Sequence, residues 1–359
     1  MMTRQNVHIT KSPTTIEEIS VPGYERVVRG INKDAKLDVI IAVHNTKLGP
    51  ALGGCRFWNY TSTDEQLTDA LRLAEGMTYK NSICGINRGG GKAVINASVA
   101  NNTKTPELYK ALGEVVEMIG GIYYTAGDVG TDVKDLKYTK EMTKYVGGIE
   151  IDSSGPTAIG LYNAIKAAYD FIYINADKDF KDMHFAISGV GKVGSKLVNK
   201  LYLDNAKLTI ADVNQFTVRC LQSDGYGSPR EIEAGSIINI HTTECNIFSP
   251  CALGNIINKD TRHLLNCDAV IGAANNQLDN EETDTWLFEN GIIYVPDYLV
   301  NSGGVIAISA ELDNTVDMID TQLKEIGMRT SEVLARSAEE NIPTDKVSRE
   351  IAWDRINNT

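Results

Sequence analysis

Three glycines in G-x-G-x-x-G spacing, directly after a short apolar segment, constrain the fold of this chain more than any other feature. The apolar segment MHFAIS occupies residues 183–188, and the glycines are Gly189, Gly191 and Gly194. A helical pattern follows, with its apolar residues at Val193, Leu197, Val198 and Leu201. A strand, a tight glycine turn and a helix in this order predict the start of a parallel β-α-β series.

The glycine turn also predicts a binding site for the pyrophosphate of a dinucleotide. Glycine lets the backbone approach phosphates closely, and the helix N-terminus offers free N–H groups and a positive dipole. Asp212 ends the next apolar segment, near the position about 20 residues downstream where a carboxylate binds the adenosine ribose. Such a carboxylate repels a 2′-phosphate, so we predict NAD as the cofactor. The residues expected at the cofactor are Gly189, Val190, Gly191, Lys192, Val193, Gly194 and Asp212. The alternative is that the glycines only let a helix pack on a sheet, which would not require Asp212.

Strand-like and helix-like segments alternate along the chain, a pattern typical of α/β layers. With 359 residues the chain is long enough for two domains. Small residues and a proline interrupt the helical periodicity at 153–156, and we place the boundary there. We therefore expect an N-terminal α/β substrate-binding and catalytic domain over 1–152, a Rossmann dinucleotide-binding domain over 153–335, and a cleft between them. We expect the C-terminal segment 336–359 to pack back on the N-terminal domain.

The charge of the chain argues against several classes of partner. There are 35 Lys and Arg against 47 Asp and Glu, a net charge of -12, and no block of like charges. We therefore expect no binding to nucleic acid or to an anionic membrane surface. The N-terminal residues have no apolar core like that of a signal peptide, and no apolar run reaches the roughly 18 residues of a membrane span. These features predict a cytoplasmic protein.

The cysteines predict neither a disulfide framework nor a metal site. Six cysteines are scattered along the chain, as expected for reduced thiols. A zinc site is the alternative for one group of them, because thiolates and imidazoles are the usual ligands of zinc. The spacing within that group lacks a C-x-x-C pair, so we predict no metal. The group consists of His241, Cys245, Cys251, His263 and Cys267.

Two lysines and an aspartate are the candidates for chemistry in the N-terminal half. Lys80 follows a helical pattern, and Lys92 follows three consecutive glycines that let the backbone approach a ligand. Asp128 comes directly after a strand-like segment, between small residues. An aspartate beside lysines makes a site for proton transfer. The alternatives are solvated surface lysines and an aspartate that only forms a turn or caps a helix, a role better suited to Asp132.

Several motifs, in order and without a large gap, resemble the Glu/Leu/Phe/Val family of amino-acid dehydrogenases, most closely its leucine branch. They extend from about residue 48 to 310 and read GPALGGCRFW, ALRLAEGMTYKN, INRGGGKAVI, TAGDVGTDV, SGVGKVGS, NIFSPCALG, GAANNQL and VPDYLVNSGGVI. The resemblance implies the reversible NAD-dependent oxidative deamination of an L-amino acid to its 2-oxo acid and ammonia. It also implies a homo-oligomer.

The resemblance further implies a role for each matching residue. Lys80 would hold the α-carboxylate of the substrate, near the backbone N–H groups of Gly53 and Gly54. Lys92 would activate the attacking water, and Asp128 would carry protons to and from the amino nitrogen. Thr157 and Asn275 would lie beside the nicotinamide. The walls of the side-chain pocket would be Leu52, Ala126, Val305 and Ile308, all apolar, which implies a branched-chain aliphatic substrate: leucine, valine or isoleucine.

Three alternatives remain open within this interpretation. A phenylalanine or other aromatic amino-acid dehydrogenase of the same family is the nearest one. A glutamate enzyme fits less well, since that branch has a lysine where this chain has Leu52. A catalytically silent NAD-binding sensor would retain the fold without the chemistry, but Lys80, Lys92 and Asp128 are all present.

Overall fold

The computed structural model describes residues 13–176, 179–223, 232–252 and 254–359. These residues form two compact units. The first contains the described residues up to Thr78 together with Arg88–Ile149, and the second contains Tyr79–Asn87 together with the described residues from Glu150 onward. The short segment Tyr79–Asn87, which carries Lys80, thus belongs to the second unit although its neighbours in sequence belong to the first.

The first unit is built on a mixed six-stranded sheet. Its strands are β1 (Thr15–Glu18), β2 (Arg26–Asn32), β3 (Leu37–Asn45), β4 (Ala51–Trp58), β5 (Gly89–Asn96) and β6 (Tyr123–Gly127). The spatial order is β1-β2-β3-β5-β4-β6. The pairs β1–β2, β2–β3 and β3–β5 are antiparallel, whereas β4 runs parallel to both β5 and β6. The accompanying helices are α1 (Thr63–Ile83), α2 (Pro106–Met118) and α3 (Val133–Lys140).

The continuous apolar run of β3 follows from burial of the sheet on both faces. Val39, Ile41 and Val43 belong to the apolar cluster that includes α2. Ile40 and Ala42 point the opposite way and belong to the cluster that includes α1. Successive side chains of a strand alternate between faces, so a strand covered on both sides needs apolar residues at every position.

The N-terminus of α1 differs from its predicted form. The sequence suggests a capping box formed by Thr63 and Gln66, but Ser62 precedes the helix and its hydroxyl accepts a hydrogen bond from the Glu65 N–H at 3.1 Å. Gln66 is fully buried, and its amide donates to the carbonyl oxygens of Asp38 and Val94. The prediction of the box was wrong because Gln66 bridges two strands of the sheet instead of its own helix end.

The second unit contains a parallel six-stranded sheet with helices between its strands. The strands are β7 (His184–Ser188), β8 (Lys207–Ala211), β9 (Ile232–Ala234), β10 (Cys245–Pro250), β11 (Cys267–Val270) and β12 (Ile293–Tyr294). Their order is β12-β11-β10-β7-β8-β9, with every pair parallel. This is the strand order of a Rossmann domain, in which ligands bind where the order reverses, here between β7 and β10.

Helices complete the second unit. They are α4 (Ser154–Ile172), α5 (Gly194–Leu203), α6 (Gln215–Ser223), α7 (Glu281–Glu289), α8 (Asp297–Val300), α9 (Gly303–Asp313), α10 (Ile319–Glu340) and α11 (Thr344–Asn357). The segment at 153–156, predicted to be a linker, lies in the first turn of α4 and its cap. Among the described residues, no helix is long and apolar enough to cross a membrane.

The C-terminal helix α11 contacts α10, α7 and β12 within the second unit. Its Arg355 donates hydrogen bonds to the carbonyl oxygens of Ser82, Gly85 and Ile86 and to the side-chain oxygen of Asn87. The Ser82 carbonyl lies in the last turn of α1, and the other two lie just beyond the end of this helix. The end of the chain is therefore attached to the short segment that carries Lys80, while its predicted packing on the N-terminal domain stays a prediction.

Candidate active site

Lys92 lies on β5, between β3 and β4 in the sheet of the first unit. The three glycines that precede it are part of the same strand. They allow close packing: a side-chain carbon on Gly90 would lie 2.2 Å from the backbone nitrogen of Thr78 on α1. The Lys92 side chain is only 6% exposed. A charged side chain buried to this extent requires a partner of opposite charge.

That partner is Asp128, which follows directly after β6. The Nζ of Lys92 lies 2.9 Å from Oδ2 of Asp128. The same carboxylate oxygen accepts a hydrogen bond from Nε of Arg56 on β4 at 3.2 Å. Burial raises the pKa of Asp128, but the positive charges of Lys92 and Arg56 outweigh it, so the net pKa is below the ordinary value. Asp128 is thus an ionised base held between two cations.

Gly53 and Gly54 lie on β4, in register with β5 and β6. A side-chain carbon on Gly53 would fall on the carbonyl group of Gly91, and one on Gly54 would lie 2.4 Å from the carbonyl oxygen of Gly127. The hydroxyl of Tyr123 donates to the carbonyl oxygen of Gly53 at 2.7 Å. Glycine is therefore required at both positions by packing alone. The predicted pocket residues Leu52 and Ala126 are buried on β4 and β6, and Ala126 pairs with Gly54.

Lys80 lies in the last turn of α1, within the second unit. Its Nζ donates to Oδ1 of Asn301, a buried residue between α8 and α9. The amide nitrogen of Asn301 in turn donates to Oδ1 of Asn275 at 2.7 Å and to the carbonyl oxygen of Ala273 at 3.2 Å. Asn301 thus joins two residues that the sequence predicts for the site, Lys80 and Asn275. Val305, a few residues further along on α9, is buried.

Arg56 and Asn301 are not among the residues predicted for the site. Arg56 follows the glycine pair in GGCR, and Asn301 lies in the segment VPDYLVNSGG, so both are inside motifs that predict a role for other residues. Their partners lie far away in sequence, and only the strand register and helix packing bring them together. Ile308, also on α9, is partly exposed, and Thr157 on α4 donates its hydroxyl hydrogen bond to the carbonyl oxygen of Ser153 at 2.8 Å.

The glycine turn between β7 and α5 has the form that a dinucleotide requires. Gly189 has a φ of +96°, in the left-handed region that favours glycine. A side-chain carbon on Gly194 would lie 2.0 Å from the carbonyl oxygen of Gly189, whereas one on Gly191 would meet nothing within 4 Å. The space above Gly191, at the N-terminus of α5, is open to a ligand. These features fit a pyrophosphate bound to the backbone of the turn.

Asp212, directly after β8, is tied to this turn. Its Oδ2 accepts a hydrogen bond from the N–H of Val190, and its Oδ1 accepts one from the N–H of Asn214, each at 2.8 Å. Val190 is buried, while Lys192 and Val193 continue the turn toward α5. The carboxylate is therefore held in place beside the glycine turn.

Two family models match this chain. One, described as the dimerisation domain of Glu/Leu/Phe/Val dehydrogenases, matches residues 28–145, and the other, described as glutamate/leucine/phenylalanine/valine dehydrogenase, matches residues 210–348. Together they cover the strands of the Lys92–Asp128 site and most of the parallel sheet.

Curated proteins with different amino-acid substrates are similar to the chain. Leucine dehydrogenase of Thermoactinomyces intermedius is 42% identical over 296 residues, which are 80% of this chain and 78% of the relative. Phenylalanine dehydrogenase of Bacillus thermotolerans is 37% identical over 316 residues, 85% of this chain and 82% of the relative.

A solved structure, L-tryptophan dehydrogenase from Nostoc punctiforme, superposes with a TM-score of 0.82 at 34% identity and covers 94% of this chain and 96% of the other. The fold, the family models and these relatives agree on the class of enzyme and on a nicotinamide dinucleotide as its cofactor, while the substrates of the relatives differ. The chain belongs to the Glu/Leu/Phe/Val family of amino-acid dehydrogenases.

Proposed function

We propose that this protein catalyses the reversible NAD-dependent oxidative deamination of branched-chain aliphatic L-amino acids. An L-amino acid, water and NAD⁺ give the 2-oxo acid, ammonium, NADH and a proton. The observation that carries the proposal is the buried contact of 2.9 Å between Lys92 and Asp128. Proton transfer to and from an amino nitrogen needs a buried acid–base group. An ionised aspartate in contact with a lysine provides such a group.

The bound cofactor supplies one step of the reaction, the acceptance of hydride from the α-carbon of the substrate. The residues that would hold it are those of the glycine turn, from Gly189 to Gly194, with Asp212 at the adenosine ribose and Thr157 and Asn275 beside the nicotinamide. Support for this placement comes from the open space at Gly191 and from the hydrogen bond that fixes Asp212 to the turn.

Asp128 acts on the substrate before and after the hydride leaves, because the ammonium nitrogen must first lose a proton, and Lys92 acts after the hydride has left. Lys92 activates a water molecule for attack on the imine carbon and stabilises negative charge on the oxygen that is added. Asp128, whose pKa is lowered by Lys92 and Arg56 in spite of its burial, accepts and returns protons at the amino nitrogen. Collapse of the carbinolamine then expels ammonia. Lys80 binds the α-carboxylate, with the backbone N–H groups of Gly53 and Gly54.

The substrate side chain is held by apolar residues. Leu52, Ala126 and Val305 are buried, and Ile308 is partly exposed. A glutamate side chain would bring an unpaired carboxylate among these residues at a high desolvation cost. Val305 and the β-branched Ile308 narrow the pocket and disfavour an aromatic ring. Selection by apolar shape is modest, about 1–3 kcal/mol for each methylene, so neighbouring aliphatic amino acids are also accepted.

A second candidate substrate is phenylalanine, favoured by the similarity to the phenylalanine dehydrogenase. The decisive experiment is the rate of NADH formation with L-leucine, L-valine, L-isoleucine, L-phenylalanine and L-glutamate, compared as kcat/KM. We expect the three branched-chain amino acids to rank first. If phenylalanine or glutamate ranks first, the pocket assignment is wrong although the reaction type stands. If no amino acid gives NADH, the protein is a silent NAD-binding sensor.

We also propose that the enzyme is a homo-oligomer, a proposal supported by the description of the matching N-terminal model as a dimerisation domain. Light scattering coupled to size-exclusion chromatography measures the mass directly. A mass of 39.2 kDa, that of one chain, contradicts the proposal.

A further inference from the structure

Arg56 joins two carboxylates within the first unit. It lies on β4, two residues after Gly54, and its guanidinium is in contact with Asp128 through Nε at 3.2 Å and with Asp69 through Nη1 at 3.1 Å. Its side chain is 18% exposed. An arginine guanidinium is planar and presents its donors in fixed directions, so two carboxylates bound to it are fixed relative to each other.

Asp69, the second of these carboxylates, is itself firmly held. It lies on α1, where the hydroxyl of Tyr60 donates to its Oδ2 at 2.6 Å and Arg72 donates to its Oδ1 at 2.9 Å. Together with Arg56 it thus has three donors. The order of contacts is Tyr60 to Asp69, Asp69 to Arg56, Arg56 to Asp128, and Asp128 to Lys92. The four charged groups of this series carry no net charge.

Both cations contact the same oxygen of Asp128, Oδ2. Lys92 alone could rotate about its flexible stem and would fix the carboxylate poorly. Arg56 adds a second contact from a different strand. Its contact with Asp69 prevents the guanidinium from moving together with the Asp128 carboxylate or turning toward solvent. The orientation of the carboxylate is therefore set from β4 and α1, and not by Lys92 alone.

We propose that Arg56 is a positioning residue for the reaction, held by Asp69 and Tyr60, and that it fixes the Asp128 carboxylate in the orientation needed for proton transfer to the substrate nitrogen. This inference rests on the proposed function of Asp128. It assigns to Arg56 no contact with the substrate or the cofactor.

Substitution of Arg56 and substitution of Asp69 should have different effects on the pKa of Asp128. Replacing Arg56 with a neutral residue removes a positive charge from Asp128, so the pKa of Asp128 rises. Replacing Asp69 with a neutral residue removes a negative charge behind Arg56, so the pKa of Asp128 does not rise. Among the described residues, the other titratable groups that interact with Asp128 are Lys92 on β5, the buried thiol of Cys55 on β4 and the phenols of Tyr60 and Tyr123. All four are unchanged in these variants.

The test compares Arg56→Gln, Arg56→Lys, Asp69→Asn and Arg72→Gln in the full-length protein. Arg72 is the matched control, because it binds the same Asp69 but its side chain is 58% exposed. Within the described part of the chain it has no hydrogen bond to Asp128. The measurements are kcat and KM for the best amino acid, the pH profile of kcat/KM, the affinity for NADH and the melting temperature.

We expect Arg56→Gln to lower kcat by at least about tenfold, since small misplacements of a reacting group are costly. Its KM and NADH affinity should stay near those of the wild type, and the acidic limb of kcat/KM should move to higher pH. Asp69→Asn should also lower kcat, but without moving that limb upward. Arg72→Gln should stay within about twofold of the wild type in kcat, as expected for the loss of an exposed ion pair.

Arg56→Lys keeps the charge but cannot bridge both carboxylates, so we expect reduced kcat with the acidic limb near that of the wild type. This variant decides the matter if Arg56→Gln does not fold. A folded Arg56→Gln enzyme with wild-type kcat and an unmoved pH limb overturns the inference, as does an equal loss in Arg72→Gln. A wild type without amino-acid dehydrogenase activity contradicts the proposed function instead.

Discussion

A side-chain carbon on Gly53 would lie 1.8 Å from the carbonyl oxygen of Gly91. The two glycines are on adjacent parallel strands, β4 and β5, and Gly91 immediately precedes Lys92. The contact is with backbone, which cannot rotate away as a side chain can. Any residue other than glycine at position 53 must therefore displace the strand that carries Lys92.

We accordingly expect Gly53→Ala to reduce turnover by at least about 10²-fold, the effect of moving a reacting group by about 1 Å. The control is Gly76→Ala on α1, where a side-chain carbon meets nothing within 4 Å. Alanine inside a helix stabilises by roughly 0.5–1 kcal/mol relative to glycine, so this control should melt slightly higher and remain active. A fully active Gly53→Ala enzyme would show that the strands adjust freely.

Removal of the charge on Asp128 should abolish catalysis. Asp128→Asn keeps the shape of the side chain but removes the proton acceptor, and general acid–base catalysis contributes about 10²–10⁴-fold. We expect a loss of kcat in that range, and a comparable loss for Lys92→Ala. Asp132→Asn is the control, because Asp132 caps α3 close by and asparagine serves equally well as a cap. A kcat within about tenfold of the wild type in either Asp128→Asn or Lys92→Ala contradicts their proposed roles.

The parts of this molecule that could be predicted from sequence are those set by neighbours along the chain. The buried strand β3, the proline-started helix α2 with Thr105 as its cap, the cap of α3 by Asp132 and the glycine turn after β7 all follow from local patterns. Each depends on residues within a few positions of one another, where periodicity and capping rules apply.

The contacts that could not be predicted depend on strand register. Arg56 reaches Asp128 only because β4 pairs with β6, with Cys55 opposite Gly127. The sequence predicts that Gln66 caps the N-terminus of α1, but its side chain instead forms hydrogen bonds with two strands of the sheet. The three glycines before Lys92 form part of a buried strand whose neighbours leave no room for side chains, and these neighbours come from other parts of the chain. In each case packing at a distance overrides the local pattern.

Cofactor preference should depend on Asp212. Its carboxylate is held by the N–H groups of Val190 and Asn214, and a 2′-phosphate beside it would meet like-charge repulsion of several kcal/mol. We expect the wild type to prefer NAD⁺, and Asp212→Asn to reduce the ratio of kcat/KM for NAD⁺ over NADP⁺ by at least about tenfold. Equal kcat/KM for the two cofactors in the wild type would exclude this role for Asp212.

Arg355 should stabilise the segment that carries Lys80. Its guanidinium donates to three backbone carbonyls and to Asn87, in the last turn of α1 and just beyond it, where the helix dipole favours a positive charge. Arg355→Met keeps the apolar stem but leaves these acceptors without their donor, at a cost of about 1–3 kcal/mol. Urea denaturation should show this loss, and KM for the amino acid should rise because Lys80 is in the same segment.

The control for this change is Arg336→Met on α10. Arg336 is hydrogen-bonded to Glu340 and Glu350 near the surface, and such pairs contribute about 0–1 kcal/mol. Equal destabilisation by the two substitutions would contradict the special role of Arg355. A wild-type KM in Arg355→Met would show that Arg355 stabilises the segment without affecting the position of Lys80.

Asp284 should make the stability of the fold depend on pH. It is buried on α7, and burial, together with the negative charge of Asp345, raises its pKa from 3.8 to about 7 despite the nearby Arg349. At a pH between 3.8 and about 7, Asp284 retains its proton in the folded protein but has released it in the unfolded chain. The free energy of unfolding therefore falls as pH rises through this window, because the folded protein binds one more proton than the unfolded chain does.

Asp284→Asn is neutral at every pH and removes this dependence. We expect its melting temperature to exceed that of the wild type by an amount that grows from pH 4 to about 7 and then levels off. The comparison uses the difference between the two proteins at each pH, so that the contributions of the other acidic groups facing this position, Asp345 and Glu281, largely cancel. Asp260→Asn, at an exposed site, should show no such growth. A difference that is constant across this range, or that favours the wild type increasingly at high pH, would mean that Asp284 is ionised in the folded protein and stabilised by Arg349.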